Sequence, residues 1–83
     1  MEKRLALIGI IASPKSDKDA LNTLLSAYAP YIVGRMGIPY SARDVGVISV
    51  VIDAPQTEIS ALTGKLGMIP GLQTKTLYAR EMS

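Results

Sequence analysis

Two stretches of the chain are apolar on both sides of an extended backbone. Residues 4–11 (RLALIGII) and 45–53 (VGVISVVID) carry aliphatic side chains at almost every position, without the apolar–polar alternation of a half-buried strand. Such runs are typical of strands at the centre of a sheet that is covered on both faces. We therefore predict two central strands at these positions.

The segment after the first strand has the periodicity of an amphipathic helix. Its apolar residues recur at i, i+3, i+4 and i+7, which places them on one stripe. The stripe consists of Leu21, Leu24, Leu25 and Tyr28. We predict a helix over residues 17–29, with Ser16 as its N-cap and two aspartates in its first turn. Pro30 ends this helix.

A second helix is predicted after the second central strand. Its apolar stripe consists of Ile59, Leu62 and Leu66. Pro55 suits the first turn, and Asp53 is interpreted as the N-cap, with a carboxylate that holds a cation as the functional alternative. Gly67 fits the left-handed position at which many helices end.

Two further strands complete the pattern. Residues 31–38 (YIVGRMGI) are rich in β-formers but contain two glycines, so we predict a strand that is bent or bulged at Gly34 or Gly37. The remaining segments are predicted as a polar loop (39–44), a turn (68–71), a more polar edge strand (72–79) and a frayed tail (80–83).

The predicted order is β-α-β-β-α-β, which is the ferredoxin-like arrangement of the α+β class. Residues 1–83 then form a single domain with a four-stranded antiparallel sheet and two helices on one face. Right-handed crossovers place the first and third strands at the centre. Both central strands are apolar on the face that the helices leave bare. We therefore expect a homodimer or larger assembly through that face.

The composition excludes several kinds of chemistry. The chain has no Cys and no His, which removes disulfides, thiolate catalysis, the usual zinc sites and His-based triads. Its net charge of +2 is weak support for nucleic-acid binding. No apolar run is long enough to span a membrane. Residues 3–12 have the shape of a short signal peptide, but Glu2 and the lack of a clear cleavage site argue against one, so we predict a cytoplasmic protein.

Several motifs in order along the chain point to a family. They are residues 31–40 (YIVGRMGIPY), 48–55 (ISVVIDAP), 62–67 (LTGKLG), 69–71 (IPG) and Lys75-Thr76. Together they resemble the iron-only hydrogenase system regulator family, which consists of small regulators from anaerobic bacteria. The resemblance implies an ACT-like, ferredoxin-like fold related to the C-terminal domain of the nickel-responsive repressor. It also implies self-association and a regulatory role.

The chain departs from the nickel-responsive repressor at two points. That repressor binds nickel through His and Cys, and this chain contains neither. A separate ribbon-helix-helix segment for DNA binding is also not expected, because the first predicted strand begins near residue 4. Neither nickel sensing nor autonomous operator binding is therefore predicted, and the sequence names no metal and no cofactor.

Two clusters are candidates for binding a small ligand. In the loop after the first strand, Ser13, Lys15 and Ser16 supply donors beside a helix N-terminus, which suits an anion. ACT-like modules commonly contact a ligand at this loop. The structural alternative is a turn with a helix cap. In the second cluster, Arg35 offers a fork for carboxylate or phosphate between Gly34 and Gly37. The structural alternative there is a bulge with a solvated or paired arginine.

A third motif, residues 63–67 (TGKLG), resembles a phosphate-binding loop only superficially. Its first glycine and final Ser/Thr are missing, and it lies late in a helix, at the end that repels anions. We therefore interpret it as structural, with Gly64 allowing a close crossing over the sheet or a partner helix.

Four functions remain in competition. The first is a non-catalytic, oligomeric sensor of a small-molecule effector. The second is a DNA-associated transcriptional regulator that acts through its oligomer or a protein partner. Direct DNA binding is left open, because the sheet lacks the aromatic residues of RNA-binding relatives. An acylphosphatase-like enzyme is disfavoured because the first loop has no Arg, even though Asn22 is available. The fourth is a pure protein-assembly module. We predict no catalytic residues and no membrane partner.

Overall fold

A computed structural model describes residues 2–80 of the chain. In chain order its elements are β1 (Lys3–Ala12), α1 (Lys18–Ala27), a 3-10 turn (Ala29–Tyr31), β2 (Ile32–Tyr40), β3 (Val45–Pro55), α2 (Gln56–Gly67) and β4 (Leu72–Tyr78). The four strands form one antiparallel sheet in the order β2-β3-β1-β4. This is the predicted ferredoxin-like fold, with the first and third strands at the centre. The tail predicted for residues 80–83 falls, beyond Arg80, outside the described residues.

The sheet buries one face against both helices. Along β1 the burial alternates strictly from Ala6 to Ala12, and β3 repeats the alternation in register, with Ile8 opposite Val50. The core between sheet and helices is aliphatic apart from Tyr28. Its members include Ala6, Ile8, Ile10, Leu21, Leu25, Val50, Ile52, Ile59, Leu62 and Leu66. Because every other residue of each central strand faces away from this core, half of their apolar side chains remain outside it.

The first helix begins one residue later than predicted and uses a different cap. The side chain of Asp17, not Ser16, accepts a hydrogen bond from the backbone N–H of Ala20 at 3.0 Å. Ser16 is buried instead, and its hydroxyl donates to the carbonyl oxygen of Ser13 at 2.7 Å. An aspartate is an equally good cap, and Ser16 prefers the turn because that turn packs against another loop.

The second strand runs further than predicted. It extends through Tyr40, so Pro39 lies in a strand and not in a loop. An edge strand accepts proline because its outer N–H groups have no ladder partner. The predicted irregularity is confirmed, since the register between β2 and β3 shifts between Ile32 and Gly34.

The second helix corrects three expectations. Its preceding strand continues to Pro55, so Asp53 pairs with Leu5 in the sheet and is not an N-cap. Gly67 is helical, and the left-handed glycine is Gly71, with φ of 85°. Gly64 is exposed, and a Cβ there would meet nothing within 4 Å, so no close crossing over the sheet occurs within the described chain, and a crossing with a partner helix stays a prediction.

Candidate functional site

The sheet face opposite the helices, which we call the open face, is apolar and uncovered. Cross-strand pairing places the large apolar residues of all four strands on it. They are Leu5, Leu7, Ile11, Met36, Ile38, Tyr40, Val47 and Leu77, and all are exposed. Met36 is 60% and Leu77 68% accessible, and the eight side chains together form an apolar patch of the kind that marks an interaction surface. The open face is therefore a candidate interaction surface.

A hollow of about 400 Å³ lies near the middle of the open face. It forms because Gly9 of β1 has no side chain, while Ile11, Val47 and Lys75 rise around it. The backbone of Gly9 does not have positive φ, and a Cβ there would lie 4.0 Å from the carbonyl oxygen of Lys75. Neither conformation nor crowding therefore requires glycine. A glycine within a strand under these conditions often marks the close approach of another group.

A second concavity lies on the helix side, between α1 and β2. We call it the α1–β2 groove, and its volume is about 250 Å³. It exists because β2 presents no large apolar side chain to α1 beyond Ile32. The residues that line it are Ala12, Lys18, Leu21, Asn22, Arg35, Gly37, Ile38, Pro39, Gly46 and Ile48. Small and apolar residues form its floor, and polar side chains form its rim.

The rim of the α1–β2 groove is positively charged. Arg35 donates a hydrogen bond from Nη2 to Oδ1 of Asn22 at 3.2 Å, which joins β2 to α1. Lys18 precedes Asn22 by four residues, so both lie on the same side of α1. A smaller depression of about 190 Å³ continues from the groove, shares Lys18 with it, and reaches Asp44 in the β2–β3 turn. Both cations thus lie at one concavity, with one carboxylate at its far end.

The ligand residues predicted from the sequence do not all lie at one place in the structure. Arg35 and Gly37 line the α1–β2 groove, whereas Gly34 pairs with Val51 at the bulge and does not line it. Lys15 is exposed on the loop before α1. The two predicted clusters therefore do not form one site.

Ser13 and Ser16 hold the loop after β1 in place. The backbone N–H of Ser13 donates to the carbonyl oxygen of Gly71 at 2.9 Å, and the backbone N–H of Ser16 donates to the carbonyl oxygen of Ser13 at 3.0 Å. These contacts, together with the buried Ser16 hydroxyl, favour the structural interpretation of this loop.

Two groove residues, Lys18 and Asn22, were not predicted as ligand contacts. The signal that could have found them is their spacing of four on α1, beside the buried Leu21. Their proximity to Arg35 depends on how α1 crosses the sheet, which periodicity does not report.

A polar cluster of Arg4, Gln56 and Tyr78 holds three elements together. Arg4 donates to Oε1 of Gln56 at 2.7 Å and stacks over the ring of Tyr78, 4.4 Å from its centroid. The amide nitrogen of Gln56 donates to the hydroxyl of Tyr78 at 2.7 Å. This cluster ties β1, α2 and β4 together.

In residues 2–80 no helix has the length and apolarity needed to cross a membrane.

Comparison with known proteins identifies relatives for this fold. The chain is similar to a structure titled as the uncharacterized protein TM1266 from Thermotoga maritima, with 30% identity and a TM-score of 0.91 over 95% of this chain and 100% of the other. A formyltetrahydrofolate deformylase from Pseudomonas putida KT2440 shares the fold alone, at 12% identity and a TM-score of 0.61, over 94% of this chain and 29% of the enzyme. No curated protein matches.

The family comparison covers most of the chain. Residues 4–76 match the model of the TM1266-like family, described as "Iron-only hydrogenase system regulator, putative". This match agrees with the motifs at residues 31–40, 48–55, 62–67 and 69–71. On this evidence the chain belongs to the TM1266-like family of iron-only hydrogenase system regulators.

Proposed function

We propose that the protein is a non-catalytic regulator of an iron-only hydrogenase system that works as a homo-oligomer and senses a small ligand. The family supports the regulatory role. The observation that carries the oligomer is the open face, whose exposed side chains include Leu7, Met36 and Leu77. The ligand is assigned to the α1–β2 groove, which lies on the opposite side of the sheet.

The size of the open face suits a dimer. Four strands of seven to eleven residues, spaced about 4.8 Å apart, present roughly 500–650 Å² per copy. Two stacked copies would bury on the order of 1,000–1,300 Å², which reaches the lower range of specific protein interfaces. The chain is small, so this burial would add substantially to its core.

A second copy is the occupant that the open face fits best. Sheets pack face to face when apolar side chains interdigitate, and the hollow above Gly9 can receive a partner side chain. The face also carries a cation, Lys75, and an anion, Asp53, at separate positions. A two-fold interface needs such self-complementarity, because each patch meets its own copy.

Light scattering on a sizing column tests the oligomer. We expect a mass of at least twice 8.9 kDa at micromolar concentration. Leu7→Glu places a charge at the centre of the open face and should give a monomer with an unchanged circular dichroism spectrum. Ser26→Glu, on the exposed side of α1, is the matched control and should remain oligomeric. A monomeric wild-type chain would remove the proposal, and a stable complex with a different protein would favour the assembly module.

DNA binding receives less support from the distribution of charge. The basic residues divide between two faces, with Lys75 on the open face and Lys18 and Arg35 beside α1. Arg4 is engaged with Gln56 and Tyr78. Within residues 2–80 these four cations do not lie on one face, which gives a DNA-binding surface on a single copy less support.

A further inference from the structure

The α1–β2 groove collects two positive charges around a polar neutral group. Arg35 has a neutral partner, the amide oxygen of Asn22, so this hydrogen bond fixes the guanidinium without compensating its charge. The bond uses one of five N–H donors, which leaves the fork able to bind an anion. Lys18 lies on the same rim.

The floor of the groove contains glycine at two positions where the fold does not require it. Neither Gly37 nor Gly46 has positive φ. A Cβ at Gly37 would lie 3.9 Å from Cγ1 of Ile48, and one at Gly46 would lie 3.9 Å from Cβ of Ala12, which are ordinary contacts. Glycine in a strand lowers stability, so these positions keep space open at a cost to the fold.

We propose that the α1–β2 groove binds a small anion that carries a carboxylate or phosphate group, held by Arg35 and Lys18 above the Gly37–Gly46 floor. The guanidinium forms charge-assisted hydrogen bonds with the anion, and Asn22 orients the guanidinium. Lys18 adds the second charge from the first turn of α1. This inference names the ligand class for the sensing part of the proposed function and does not depend on the dimer.

The shape of the site limits the ligand. A volume of about 250 Å³ is enough for a small metabolite. Asp44, at the far end of the adjoining depression, repels a second anionic group there. The ligand therefore places its negative charge near Arg35 and a neutral or positive part toward the β2–β3 turn.

NMR titration of the ¹⁵N-labelled full chain tests the proposal. Sodium phosphate and sodium propionate are added separately at constant ionic strength. We expect saturable shifts of the Gly37 and Gly46 amides with one or both probes. Phosphate alone would identify a phosphoryl ligand, and propionate alone a carboxylate ligand. Absence of shifts at both glycines with both probes would overturn the proposal.

Matched variants locate the site. Arg35→Gln and Lys18→Gln should each weaken binding about 10-fold or more, because each removes a charged contact. Arg43→Gln, in the β2–β3 turn, and Lys15→Gln, in the loop before α1, make the same charge changes outside the groove and should leave the affinity unchanged. Equal loss in the control variants would show a diffuse charge effect and contradict the site.

The glycine floor gives a readout that is independent of charge. Gly37→Ala and Gly46→Ala should fold with a Tm equal to or above that of the wild type, yet together weaken binding about 10-fold. Unchanged affinity in the folded double variant would contradict the assigned floor. Light scattering on the same samples distinguishes the oligomer proposal from the anion-site proposal. A wild-type chain that is oligomeric but binds neither probe would support the open-face interaction and contradict the anion site alone.

Discussion

At the scale of single residues, Gly71 has the strictest requirement. Its φ is 85°, and a Cβ there would lie 2.5 Å from Oγ of Ser13 and 3.1 Å from Cα of Ser16. We expect Gly71→Ala to lower the free energy of unfolding by about 2 kcal/mol or more, from left-handed strain plus displacement of the Ser13–Ser16 loop. Thermal denaturation should show a Tm about 10 °C lower.

Gly67→Ala is the control for this prediction. Gly67 is helical and a Cβ there meets nothing within 4 Å, so alanine should raise the free energy of unfolding by about 0.5–1 kcal/mol. The opposite ranking of the two variants would contradict the assignment of the left-handed position. The sequence favours Gly67 because it follows the helical stripe. Gly71 escapes prediction because its conformation depends on a loop that is distant in sequence.

At the scale of elements, the N-cap of α1 gives a second test. Asp17→Ala removes the acceptor for the N–H of Ala20 and should lower the free energy of unfolding by about 1 kcal/mol. Asp17→Asn retains a side-chain oxygen at the same position and should lose much less. Urea denaturation measures both. Equal losses would show that the charge, and not the cap hydrogen bond, stabilises this end.

Most of the elements could be predicted, and their ends could not. The aliphatic runs and the leucine stripe of α1 fix the strands and the helix, because burial sets their periodicity. Pro39 and Pro55 were expected to mark a loop and a helix turn, yet both lie in strands. Pro39 is tolerated because β2 is an edge strand, whose outer N–H groups have no ladder partner. Pro55 lies in β3 because Lys3 of β1 still pairs with it.

The proposed anion site in the α1–β2 groove shows a similar division. Arg35 and Gly37 could be singled out from the sequence, because glycine permits close backbone approach and the guanidinium offers a fork for carboxylate or phosphate. The contribution of Lys18 depends on the position of α1 over the sheet, which no local pattern encodes. The assignment of Ser13 and Ser16 to a ligand loses support because their polar groups bond to each other and to Gly71.

At the scale of the whole molecule, the two-sided apolar strands already indicated that one sheet alone leaves apolar surface in water. The structure agrees, because the helices cover one face and the other remains apolar. A chain of 83 residues has few other sources of stability, with no cysteine for disulfides. Association through the open face would therefore contribute to the stability of the fold.

This link predicts that thermal stability depends on protein concentration. If the open face pairs two copies, unfolding also dissociates them, and mass action favours the folded dimer as concentration rises. A tenfold increase adds about 1.4 kcal/mol per dimer, which corresponds to a Tm about 3–5 °C higher for two chains of this size. Calorimetry at 10 and 100 μM measures the shift. Leu7→Glu should abolish the concentration dependence and lower the Tm at both concentrations, whereas Ser26→Glu should retain it. A wild-type Tm that stays constant over this range would mean that the open face does not stabilise the fold through self-association.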